Sequence, residues 1–198
     1  MPRLVDHAER RTEIVKATWR IIAERGIEAT TMRELAREMG VANGSVTHYF
    51  PNKKAILIAA FQHVFAATNA RYEQAVAESD RHGLAALRLF LEQTLPFDDE
   101  RLLEARIVIP FLEHAAMDPD AAEIFQTTMR QWQERFVALL DEAQVRGEVR
   151  VDLDACAVSD ALLHALTGVQ AVGVLIPETA RPARMTAMLD ALMDMLRR

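Results

Sequence analysis

Apolar residues recur at helical spacing along nearly the whole chain. From Glu9 to Arg25 the positions Ile14, Ala17, Ile21 and Ile22 mark one face, and Gly26 ends the run where a left-handed residue is wanted. In Thr30-Thr31-Met32-Arg33-Glu34 the spacing is that of a capping box, with Thr31 accepting from the Glu34 amide and the Glu34 carboxylate reaching back. Behind it Met32, Leu35, Ala36 and Met39 form the stripe of a short helix, closed by Gly40. A third helix spans Gly44 to Phe50, with Val46, Tyr49 and Phe50 on one side.

Six longer helices are predicted beyond it. They run from Lys54 to about Glu78, from Leu84 to Leu95 with Pro96 as the stop, and from Glu100 to Ala116 with a kink at Pro110. Asp118-Pro119 reads as a cap followed by proline at the first helical position, opening a helix to about Arg146. Asp154 to Val174 and Pro182 to Arg198 complete the set. No internal repeat, low-complexity tract or strand-like alternation interrupts it. The fold class is all-α, with about nine helices.

Two short helices around a tight glycine-containing turn make a helix-turn-helix, whose second helix can enter a major groove. Val41 fills the gap between them. The outward side of that second helix is Asn43, Gly44, Ser45, Thr47 and His48: small or polar, with no long carboxylate. An ordinary surface helix would carry Glu and Lys, which favour helix, whereas a groove-facing helix needs short side chains that donate to and accept from base edges. Pro51-Asn52-Lys53-Lys54 sets two ammonium groups beside fresh amide donors, which suits a phosphate. These readings divide the chain into a three-helix head, residues 1–53, and a helical body, residues 54–198.

Charge sharpens this picture. Residues 1–54 hold ten Lys+Arg against seven Asp+Glu, a net of +3, and all three lysines; the rest holds thirteen against twenty-two, a net of −9. A basic head on an acidic body suits a polyanionic partner for the head. Apolar types at 51% and charged types at 26% are those of an ordinary globular chain. One cysteine, Cys156, makes no internal disulfide, suits a reducing cytoplasm, and reads as a small core residue. Met1 to His7 contains no apolar run of a signal peptide, and the charge-free stretches Ala55–Ala70 and Ala161–Pro177 carry polar interruptions. Both stretches are therefore expected to be helices buried on most sides within protein, with no membrane span.

The stretch Ala29 to Leu57 resembles the TetR family of bacterial transcriptional repressors. Thr31, Ala36, Gly40, Val41, Gly44, Tyr49, Phe50, Asn52, Lys53 and Leu57 all match its pattern. Thr47-His48-Tyr49-Phe50, together with Trp132 and Arg135, is similar to the branch that includes the betaine-pathway repressors. The resemblance implies double-stranded DNA as partner. Asn43, Ser45, Thr47 and His48 are then candidates for base edges, and Thr31, Arg33, Tyr49, Lys53 and Lys54 for phosphates. Arg10 and Arg11 either reach a minor groove or are solvated. One departure is Ala42, where the family has a Ser or Thr cap; Asn43 is then expected to take over the cap.

A homodimer through the last two helices would place two heads about 34 Å apart on a palindromic operator. A small-molecule effector would sit in the body, among Phe65, Phe97, Phe111, His114, Trp132, Phe136, His164 and Gln170, and a cationic one suits both the acidic body and the branch. The rival readings are a helical small-molecule carrier or an enzyme, neither binding DNA. Against an enzyme, the chain lacks an H-E-x-x-H pair, a P-loop, a G-x-S-x-G elbow and a cysteine pair, and its six histidines lie far apart, so no cofactor or metal is called for.

Overall fold

In the computed structural model, which describes residues 7–197, side-chain caps start five of the helices, and Thr31 and Asp118 stand as caps where the pattern puts them. The readings on Met1–Asp6 and on the helix end at Arg198 lie outside those residues. Among the described residues there are nine α-helices: α1 His7–Arg25, α2 Met32–Glu38, α3 Asn43–Thr47, α4 Lys53–Ser79, α5 Gly83–Thr94, α6 Asp99–Met117, α7 Pro119–Val145, α8 Ala155–Leu175 and α9 Pro182–Leu196. The Thr31, Asn52, Asp98, Asp118 and Asp154 side chains each accept from an amide three residues on, at 2.9–3.1 Å. Two short 3-10 turns, Ile27–Ala29 and Pro177–Ala180, lie in segments the periodicity leaves blank, and one isolated bridge joins Val149 to Arg197. Pro110 sits inside α6 without ending it.

Three local expectations are corrected. The capping box at α2 is half formed: the Glu34 amide does donate to Thr31, but the Glu34 carboxylate is held by Arg25 of α1 and Arg37 instead. Two guanidinium groups attract it more strongly than one backbone amide. At α3 the cap is Ala42, with no side-chain bond, and Asn43 is already helical, so Asn43 does not take over the cap. Cys156 is exposed, because it lies on the face of α8 that turns away from the body.

The head shares its core with the body. Ile14, Ile21, Leu35, Val46 and Phe50 pack in one cluster with Ile56, Phe61 and Val64 of α4, and with Ile107, Val108 and Phe111 of α6. Phe61 and Phe111 stack face to face, centroids 3.8 Å apart and 8° from parallel. A second cluster joins the end of α4 to α5, α7, α8 and α9 around Phe90, Phe136, Leu140, Leu166 and Leu189. Helix α8 is long and apolar enough to cross a membrane by composition. It packs on α6 and α7, buries Leu162, Leu163 and Leu166, and leaves Ala157, Ala161, Gly168 and Val172 exposed. It is therefore less enclosed within one chain than its apolarity suggests.

A buried ion pair ties α4 to α6. Arg71 donates through Nη1 and Nη2 to both oxygens of Glu104, each at 2.7 Å, and Nη2 also reaches the Gln93 carbonyl at 3.2 Å. Glu104 is 2% exposed. Burial pushes its carboxyl above the ordinary value, while the Arg71 donors pull the other way. Glu104→Ala leaves Arg71 only the exposed Glu100, 4.0 Å away, and should cost about 3 kcal/mol by denaturant unfolding. The double variant Arg71→Met, Glu104→Leu should recover most of that loss, since it buries neither charge; failure to recover would place the destabilisation elsewhere.

Candidate nucleic-acid interface and effector cavity

Helix α3 is held from beneath and bare above. Val46 and Phe50, each 1% exposed, pin it to the core, and the left-handed Gly40 (φ 65°) turns the chain from α2 so that Val41 packs into the gap. Asn43, Gly44, Ser45 and His48 are exposed; Thr47 is half-buried, and its hydroxyl donates back to the Gly44 carbonyl at 3.2 Å. A Cβ built on Gly44 meets nothing within 4 Å, and its backbone is ordinary helix. Nothing inside the chain calls for glycine there, although glycine in a helix costs roughly 0.5–1 kcal/mol against alanine. The open space above it is suited to a close approach from outside.

The flanking cations divide into two groups. Arg33 and Lys53 have no ion-pair partner among the described residues, and Lys53 is the first residue of α4, beside its free amides. Thr31 is exposed at the start of α2. Lys54, in contrast, donates to Asp118 at 2.5 Å and lies 3.5 Å from Asp120. The Asp118 carboxyl is held below the usual carboxylate range, first by that Lys54 donor and then by the Ala121 amide. Lys54 thus ties the start of α4 to the start of α7, which corrects its pairing with Lys53 on the outer surface. Tyr49 is half-buried, its ring 5.2 Å from His48 and 4.6 Å from His7. Arg10 pairs with Glu13 and Arg11 donates to the Tyr49 carbonyl, so both are used within the chain.

In the body, Phe65, Trp132 and Gln170 line one small cavity of about 30 Å³, with Thr68, Thr128 and Phe125. It adjoins a pocket of about 540 Å³ that opens between α7 and α8, where His164 lies with Asp160, Gln133 and Arg130. Phe125, Met129, Leu163 and Thr167 form the wall between the two. Trp132 donates to Asn69 at 3.2 Å, and Gln170 donates to the Thr94 carbonyl at 3.2 Å, which leaves its Oε1 as an acceptor.

The other expected pocket residues lie elsewhere. Phe111 is under Phe61, and Phe136 is behind Trp132 against Phe90; both are fully buried packing. Phe97 lies under the Arg101 guanidinium, and His114 faces the Lys54–Asp118 corner, where it lowers the Asp118 carboxyl slightly. Phe125, Thr128 and Met129 were not anticipated; they continue the Trp132 stripe at i−7, i−4 and i−3 on α7.

The profile "Bacterial regulatory proteins, tetR family" matches residues 14–60, and "BetI-type transcriptional repressor, C-terminal" matches residues 83–198. The chain is 29% identical over 145 residues to the HTH-type transcriptional regulator PksA of Bacillus subtilis, covering 73% of this chain and 70% of that one. It is 34% identical over 90 residues to the regulator BetI of Burkholderia thailandensis, covering 44% and 46%. A transcriptional regulator from Rhodococcus superposes with TM-score 0.81 at 26% identity, over 94% of this chain and 95% of that one. A transcriptional regulator from Saccharomonospora viridis, solved in complex with choline, superposes with TM-score 0.85 at 20% identity, over 94% and 96%.

Two measurements probe the interface. Gly44→Ala should raise stability by up to about 1 kcal/mol and still weaken duplex binding, because the added methyl intrudes only on what docks there; unchanged affinity would refute the close approach. Lys53→Ala should reduce the salt dependence of duplex binding by about one unit, and Lys54→Ala should leave it unchanged. Equal slopes for the two variants would reject the division between them.

Proposed function

The chain belongs to the TetR family of bacterial regulators, with a BetI-type C-terminal domain, and on that premise we propose that it grips a palindromic operator as a dimer and is released by a small organic cation. It is a ligand-responsive DNA-binding repressor. In this reading Asn43, Ser45, Thr47 and His48 meet base edges, and Thr31, Arg33, Tyr49 and Lys53 meet phosphates. The observation that carries it is α3 itself, anchored by buried Val46 and Phe50 and free on the side that would enter the groove.

A single three-helix head reads too few base pairs to find one site, and a second copy doubles the information. The dimer is proposed through α8 and α9. Their exposed faces carry Ala157, Ala161, Gly168 and Val172 on one helix and Ala187 and Ala191 on the other. Small side chains allow two copies to approach closely and form a four-helix bundle.

The effector is placed at the wall between the two cavities. The inner space holds about one water, so a ligand must part Phe125 and Met129 from Leu163 and Thr167 to enter. The inner lining contains no charged residue; it offers Phe65, Phe125 and Trp132 rings with Thr128 and Gln170 oxygens. A weakly hydrated cation finds rings and acceptors there, whereas a carboxylate finds no counter-charge. The choline bound to the S. viridis regulator supports this class of ligand. Parting the wall moves α7, whose N-terminal cap Asp118 holds Lys54 beside Lys53. The ligand then favours states in which the two heads no longer match one duplex.

Choline should displace the protein from its duplex and quench Trp132 fluorescence in a Trp19→Phe background. Trp132→Ala should raise the concentration needed about tenfold, the worth of one desolvated cation–ring contact. Release by an aliphatic carboxylate but not by choline would reject the cation reading. For the dimer, Ala161→Glu should give a monomer by sedimentation; a dimer that persists would move the interface off α8.

A further inference from the structure

The first turn of α1 reaches the far end of the recognition helix. His7 and Arg11 lie at i and i+4, on one side of α1. Arg11 Nη1 donates to the Tyr49 carbonyl at 2.8 Å, and its guanidinium lies 4.2 Å from the centroid of the Phe50 ring. The His7 ring is 4.6 Å from Tyr49 and 6.2 Å from His48, and His48 meets Tyr49 edge-on at 5.2 Å. His48, Tyr49 and Phe50, which follow α3 and lead to α4, are therefore each met by His7, by Arg11 or, for Tyr49, by both.

From this geometry we infer that His7 and Arg11 form a positioning clamp that sets the orientation of α3, and so decides how selectively the protein reads DNA. The physical reason lies in what α3 lacks. It is five residues long, its cap Ala42 contributes no side-chain bond, and Gly44 weakens its interior. Such a helix has little stiffness of its own. What holds its end comes from outside: Arg11 donates to the carbonyl of Tyr49, two residues past Thr47, while its flat face covers Phe50. A lysine in its place keeps the charge and cannot donate sideways and stack at once. Arg11 acts through Tyr49 and Phe50, and His7 through Tyr49 and His48; neither is assigned a base.

The inference rests on α3 being the groove helix, and the test keeps the two apart. Wild type first enriches a duplex from a random-sequence pool. Wild type, Arg11→Ala, Arg11→Lys and His7→Ala are then compared on that duplex and on an unselected one, across a range of KCl concentrations. Arg11→Ala should lose about tenfold on the enriched duplex, the cost of roughly one wrong base pair, and little on the unselected one, with the salt slope unchanged. Arg11→Lys should not restore the loss. Equal losses on both duplexes, with a slope lower by about one and rescue by lysine, would make Arg11 a phosphate contact and overturn the clamp. An unchanged ratio would overturn it too. Should wild type enrich nothing, the groove reading fails first and the clamp falls with it. As a measurement without DNA, the His48 ring resonances should shift in Arg11→Ala and in His7→Ala while the Leu189 methyls stay in place; unmoved His48 resonances would sink the idea whatever the binding shows.

Discussion

The face-to-face stack of Phe61 on Phe111 is the contact on which the rest depends. Phe61 stands in the first third of α4, within the same cluster as the head's Ile14 and Val46, and Phe111 stands past the middle of α6. Because both rings are buried in one close-packed cluster, the three-helix head cannot turn on the body without breaking apolar contact. A sub-ångström shift of α6 or α7 therefore has to appear as a shift of α4 and of the helix-turn-helix mounted on it. The Lys54–Asp118 and Arg71–Glu104 pairs reinforce the same axis at its start and further along.

Charge is spent economically in the head. Arg25 and Arg37 are committed to Glu34, Lys54 to Asp118, Arg10 to Glu13, and Arg11 to the α3 end. Among the described residues, what remains for a polyanion is Arg33 and Lys53, flanking α3, and Lys16 on α1. The net basic character of the head thus overstates how many cations face outward, and the arrangement favours register on the duplex over bulk attraction.

Much of the fold was legible in the sequence because helical period, caps and breakers agree. Asp118-Pro119 and Asp154 mark helix starts by chemistry that works locally, whatever lies beyond. The helix-turn-helix was legible for the same reason, from Gly40, Val41 and the short polar face of α3. What the sequence could not disclose are choices made by neighbours distant along the chain. Glu34 had two suitors, an amide three residues away and arginines that only folding brings near. Phe136 and Trp132 share one stripe of α7, and period alone cannot say that the first fills the core while the second borders a void. Cys156 and Ala161 look like interior residues from their small apolar side chains, yet both are exposed on the face of α8 that turns away from the body.

The residues that would address DNA lie between Thr31 and Lys53, while the wall of the cavity is drawn from Phe125, Met129, Leu163 and Thr167. The two sets share no member. Under the proposed effector site, substitutions along the wall would change which molecule is sensed and leave the residues facing DNA intact, so new signals could be wired to an old promoter by drift in a few side chains far from the double helix.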